Sequence, residues 1–203
     1  QTRTERAPER LRARIAAARP SRPVRARRRA TYGGGVAGAL AAVVLALVLA
    51  LPSGTPGAPS ISQAAALAGL GADAPAPVPD PDAPAVKLGA KVGHVYFPNW
   101  TKRFGWEAIG RRTDRISGRT STTVFYKDWH GKRIAYTIVG APALTAPRAQ
   151  VTKLHGTVLR TLTLHGRLVV TWRRSGHTCV LSGPGVPAAV LQQLAAWRVP
   201  GAG

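Results

Sequence analysis

Residues 36–51, VAGALAAVVLALVLAL, carry no charge and constrain the chain more than any other stretch. With residues 30–35 ahead of them the uncharged run reaches 22 residues, about 33 Å as a helix, which matches a hydrocarbon core. Nine residues of 36–51 are Leu or Val, each worth about 0.3–0.6 kcal/mol toward insertion at mid-membrane. A buried helix of a water-soluble core would be shorter and would show polar residues at helical spacing. The run predicts one transmembrane helix over residues 31–51.

The flanks orient it. Arg19, Arg22, Arg25, Arg27, Arg28 and Arg29 precede the run, and the next ionised group after it is Asp73. The positive-inside rule then puts residues 1–30 in the cytoplasm, with Arg25, Arg27, Arg28 and Arg29 setting the topology, and everything after Leu51 outside. A cleaved signal peptide is the alternative, but the basic region is long for one, and Leu51-Pro52-Ser53-Gly54 makes a poor cleavage site. The chain starts at Gln1 and contains no methionine, so it reads as a fragment of a longer protein.

Within the cytoplasmic segment, residues 7–19 (APERLRARIAAAR) predict a short helix, with Pro8 suited to its first turn and Glu9 complementing the helix dipole. Leu11 and Ile15 make a narrow apolar stripe among Arg10, Arg12 and Arg14. Such a helix either lies on anionic lipid or docks on a cytoplasmic partner, through Arg10, Leu11, Arg14 and Ile15.

Beyond the span, residues 52–85 are rich in Pro, Gly and Ala and read as an extracytoplasmic linker. A helical turn or two is possible over residues 62–70, and the alternating prolines of 72–85 favour a polyproline II spacer. Residues 86–203 read as one β-rich domain, with strands expected at 92–97, 106–115, 120–126, 132–139, 157–164, 167–173 and 178–182. Residues 141–150 read as a loop, and residues 187–197 as a helix whose Val190, Leu191, Leu194 and Trp197 can cover the sheet. The expected fold is α+β: one transmembrane helix plus a twisted antiparallel sheet with a carboxyl-terminal helix on one face.

The segment PER-LR-RI, the arginines, the single span, the Pro-rich stalk and the outer phrases FPNW, FGWEAIGRRTDRISGRTSTTVFY, KRIAYTIVG and GRLVVTWRRSGHTCVLSG together resemble the membrane-anchored anti-sigma factors of actinobacteria. The resemblance implies a cytoplasmic segment that holds an extracytoplasmic-function (ECF) sigma factor, an outer sensor domain, and signalling by proteolysis near or in the span. It also implies a zinc-binding helical domain upstream. The His and paired Cys of that motif are not in this fragment, which has no histidine before His94, so no cofactor is expected here.

Chemistry is sparse in the outer domain. Three acids (Glu107, Asp114 and Asp128) face eighteen Lys and Arg, which makes paired-carboxylate catalysis improbable. Cys179 is the single cysteine, so no intrachain disulfide can form. His177 and Cys179 share a strand face and would be the base and nucleophile, respectively, of an anchored enzyme; a buried thiol beside a structural histidine is the preferred reading. No metal-ligand spacing, Gly-rich phosphate loop or Gly-x-Ser-x-Gly elbow occurs, and no enzymatic activity is expected.

The net charge of +21 would ordinarily suggest nucleic acid, but an exported domain meets little of it, leaving anionic envelope polymers and lipid headgroups as partners. Arg111, Arg112, Arg115, Arg119, Arg173 and Arg174 form the expected anion-docking face, unless the basicity is simply compositional. The rival to the regulatory reading is a membrane-tethered envelope-binding or scaffold module with no sigma partner.

Overall fold

The computed structural model describes residues 59–198. The span at 31–51, the cytoplasmic helix with Arg10, Leu11, Arg14 and Ile15, and the topology-setting Arg25, Arg27, Arg28 and Arg29 lie outside the described residues. No helix among the described residues is long and apolar enough to cross a membrane.

The described chain is mostly antiparallel β-sheet with a few short helices, an α+β arrangement. Helix α1 (Ile61–Ala66) runs into a 3-10 turn at Leu67–Gly69, and a hairpin of β1 (Lys87–Val92) and β2 (Val95–Pro98) precedes the short α2 (Thr101–Phe104). Then come β3 (Glu107–Ile116), β4 (Arg119–Lys127), β5 (Arg133–Val139), β6 (Gln150–Leu154), β7 (Thr157–Leu164), β8 (Arg167–Arg174), β9 (His177–Ser182) and α3 (Ala188–Ala196). Strands β3 to β9 form one sheet in the order β3-β4-β5-β9-β8-β7-β6. The chain lays down a three-strand meander, crosses to the far edge, and returns strand by strand until β9 zips onto β5.

Turn chemistry explains the hairpins. Ser117-Gly118, His155-Gly156, His165-Gly166 and Ser175-Gly176 each place two consecutive residues at positive φ, between 45° and 80°. This is the two-residue turn whose twist matches that of paired strands, and glycine supplies its second position at no steric cost.

Alternation along the strands gives two buried faces. On one, Val124, Tyr126, Tyr136, Trp172, Cys179 and Leu181 pack under the β1–β2 hairpin, Trp100, Trp106 and α3. The Tyr136 ring centroid lies 5.1 Å from Phe97, 5.8 Å from Trp100 and 5.2 Å from Trp172, so aromatic rings fill the centre of this layer. On the other face, Ile116, Val139, Val169 and Val180 meet Ile61, Ala64, Ala65, Leu67 and Leu144.

That second layer corrects the linker reading. Residues 59–85 are not a free spacer: α1 covers the sheet, Ala74 bridges to Arg111 on β3, and Pro79 bridges to Leu88 on β1. Ile61, Ala64 and Ala65 recur at helical spacing. A reciprocal cap fixes the start of α1: the Gln63 backbone N–H donates to Ser60 Oγ at 3.2 Å and the Ser60 N–H to Gln63 Oε1 at 3.0 Å. Two further expectations change. The single strand at 92–97 is a hairpin, because Gly93 at φ 57° turns the chain. The 141–150 loop delivers the chain to an additional edge strand, β6, whose five residues are exposed or half-buried and carry no apolar run to announce them.

Candidate functional site

The main departure from a regular sheet lies between β7 and β8. Their pairing runs from Leu164↔Arg167 to Arg160↔Thr171 and stops there, although β7 begins at Thr157 and β8 continues to Arg174. Each strand keeps its other neighbour: β7 stays paired with β6 as far as Leu154↔Thr157, and β8 with β9 as far as Arg174↔His177. The sheet therefore forks, and the gap is a cavity of about 530 Å³. Gly156, Thr157, Val158 and Arg160 line one wall and residues 172–175 the other, while Lys87, His94, Val95 and Tyr96 of the first hairpin and Arg198 after α3 complete it.

The cleft is basic throughout. Lys87, Arg160, Arg173, Arg174 and Arg198 line it, with His94 at the hairpin turn, and no carboxylate does. Three guanidiniums are fixed by backbone carbonyls, Arg173 donating from Nη2 to Leu144 O at 3.0 Å, Arg174 from Nη2 to Trp197 O at 3.1 Å and Arg198 from Nη2 to Gly156 O at 3.3 Å. A guanidinium has five N–H donors, so each of these side chains is oriented while keeping donors for a ligand. Tyr96 is flanked by ammonium groups, Lys87 Nζ 4.9 Å and Lys91 Nζ 5.3 Å from its ring centre.

Two neutral groups of the cleft are also unfulfilled. Trp172 Nε1 and Thr157 Oγ1 are buried and have no hydrogen-bond partner in the protein. Trp100 Nε1, Ser121 Oγ and Ser182 Oγ share that property elsewhere, so an orphaned atom alone does not mark a site. Trp172 and Thr157 differ because both line the same cation-rich cavity.

The arginines expected to form one docking face are dispersed. Arg111 and Arg115 are exposed on the edge strand β3, and the Arg111 backbone is tied to Ala74. Arg112 points to the opposite face and forms a bidentate pair with Asp114, Nε–Oδ2 2.7 Å and Nη2–Oδ1 2.8 Å, while its Nη1 donates to Gly71 O at 2.9 Å. The hydrogen bonds to Arg112 hold the Asp114 carboxyl below its ordinary pKa, and those same bonds raise the Arg112 guanidinium. Arg119 donates to Pro142 O, and Arg173 donates from Nη2 to Leu144 O at 3.0 Å. Of the expected set, only Arg173 and Arg174 line the cleft. Lys87, His94, Arg160 and Arg198 come from separate elements and form no local motif that spacing could reveal.

The His177–Cys179 pair is not assembled for catalysis. The Cys179 thiol is fully buried and its Sγ accepts a hydrogen bond from the Tyr136 hydroxyl at 3.2 Å; burial pushes its pKa up to about 11. His177 Nδ1 donates to Ser175 O at 2.7 Å, which fixes the ring as a brace of the β8–β9 turn. Its Nε2 sits against Gly93, where an added Cβ would approach to 2.6 Å, so the absent side chain of that glycine lets the two turns meet. Among the described residues no three His, Cys, Asp or Glu side chains are grouped to hold a metal. No protein-family model matches the chain, and neither a curated protein nor a solved structure shows significant similarity to it.

Proposed function

We propose that the chain is a membrane-anchored transcription regulator of the anti-sigma type, whose outer domain receives an anionic ligand of the cell envelope. The observation that carries the receiver half is the acid-free basic cleft between β7 and β8, with its two unfulfilled donors. The regulatory half rests on the resemblance and on the arginine-flanked apolar run, which together make residues 1–30 the cytoplasmic handle for an ECF sigma factor. The envelope offers such a cleft two kinds of partner, anionic polymers and lipid headgroups.

The test uses the full chain in a non-ionic detergent. Anionic polymer and anionic vesicles are expected to bind, with affinity falling as salt rises from about 0.05 to 0.5 M, because the attraction is screened. Binding that ignores salt, or no binding, removes the receiver half. A sigma subunit is expected to co-purify with the full chain and to be lost when residues 7–19 are deleted. Anion binding without any sigma subunit would reduce the protein to an envelope-binding tether.

A further inference from the structure

We infer that the β7–β8 fork is a phosphate-binding site, in which a phosphoryl group is held by Arg174, Arg198, Trp172 and Thr157. The inference rests on the receiver reading above and narrows its ligand to one chemistry. The lining presents an indole N–H, which can only donate, a hydroxyl free to donate, and guanidinium and ammonium groups that only donate. A ligand that satisfies them brings several acceptor oxygens and at least one negative charge. A carboxylate has two oxygens in a plane and is matched by one arginine fork. Here donors come from β7, from β8, from the segment after α3 and, through Lys87, from the first hairpin. Convergence from separate elements suits a tetrahedral oxyanion, and a phosphomonoester adds up to two charges that the unneutralised cations offset. The volume of about 530 Å³ exceeds what phosphate alone occupies and lies in the range of small-molecule pockets, leaving room for the group that carries the phosphate, against Val95, Tyr96 and Val158.

The phosphate can belong to a soluble glycerol-phosphate unit of an envelope polymer or to a lipid headgroup. Titration calorimetry on the full chain in non-ionic detergent would use inorganic phosphate, glycerol phosphate, acetate, a carboxylate polymer, an acidic peptide, and vesicles with and without phosphatidic acid. Glycerol phosphate is expected to bind, with inorganic phosphate weaker and acetate undetected. Thr157→Val and Trp172→Phe are each expected to weaken glycerol phosphate by about tenfold, the loss of one hydrogen bond to a charged acceptor. Arg198→Ala is expected to weaken it more, and Lys127→Ala, on a strand across the sheet, to change nothing. Should Trp172→Phe disturb the fold, the nearly isosteric Thr157→Val decides alone. Preference for phosphatidic acid vesicles over glycerol phosphate assigns the phosphate to lipid; the reverse assigns it to polymer. Binding of the carboxylate polymer or the acidic peptide with no phosphate response would overturn this inference and leave the anionic receiver standing, whereas silence toward every anion would overturn both.

Discussion

The two seams that flank the β8–β9 pair behave differently. Where β9 meets β5 the strands pair from Ala135↔Ser182 to Val139↔Thr178, and, the buried Ser182 Oγ apart, polar groups around that seam bond to one another. Thr123 and Thr137 share a hydrogen bond at 2.8 Å, Thr171 Oγ1 donates to Cys179 O at 2.9 Å, and Tyr136 donates to the Cys179 thiol. Where β8 meets β7, pairing stops after Thr171, and Trp172 Nε1 and Thr157 Oγ1 are left without partners among five cations. A buried polar group that is paired specifies the fold, whereas one that is buried and unpaired beside a cavity costs stability until something outside the chain fills it.

The largest effect tests the sealed seam. Tyr136 is fully buried between Phe97, Trp100 and Trp172, so Tyr136→Ala is expected to cost about 3–5 kcal/mol in urea denaturation. A cost under 1 kcal/mol would mean that the aromatic layer is not the centre of the core. Thr123→Val follows: it keeps the volume but strands the buried Thr137 hydroxyl, at an expected cost of about 1–3 kcal/mol.

Thr157→Val is the same chemical change on the forked seam, and its sign is expected to differ. The hydroxyl it removes has no partner to strand, so stability without ligand stays level or rises by up to about 1 kcal/mol. If Thr157→Val destabilises as much as Thr123→Val, the two seams are equivalent and the fork is no site. The same variant is expected to gain less thermal stability from glycerol phosphate than the parent, because a ligand stabilises in proportion to the logarithm of its occupancy ratio.

Much of the sheet was legible in the sequence because its strands advertise themselves. Residues 157–162 alternate buried positions with exposed or half-buried ones, residues 132–139 carry Ile134, Tyr136 and Ile138 on one side, and X-Gly pairs mark the turns. Strand β6 was hidden because an exposed edge strand needs no apolar face, and the turn at Gly93 because strand-forming valines, Val92 and Val95, stand on both sides of it. The packed role of residues 61–67 was obscured by the prolines that follow, although the Ser60–Gln63 cap was there to be read. Of the cleft, only Arg173 and Arg174 were anticipated. Its residues lie far apart in sequence, at 87–96, 156–160, 172–175 and 198, and whether Trp172 or Thr157 finds a partner is decided only when β7 and β8 part.

The smallest effect contrasts the cleft with the sheet's opposite edge, where Arg112 is neutralised by Asp114. Asp114 titrates below its ordinary value in the folded protein, so the pair contributes stability that is present above the unfolded carboxyl pKa of about 3.9 and is lost as pH falls through the lower folded value. Stability differences between the parent and Asp114→Asn are therefore expected to be level from about pH 8 to pH 5 and to close below about pH 4. Their size, for a pair only partly removed from solvent, is about 0.2–1 kcal/mol. In the cleft no carboxylate faces the cations, so no Asp→Asn or Glu→Gln change in the lining can produce such a step, and phosphate added at pH 7 is expected to supply what Asp114 supplies at the edge. A stabilisation by phosphate that survives Thr157→Val and Arg198→Ala unchanged would show that the anion acts on the surface charge at large, and the contrast between the cleft and the β3 edge would then be one of composition alone.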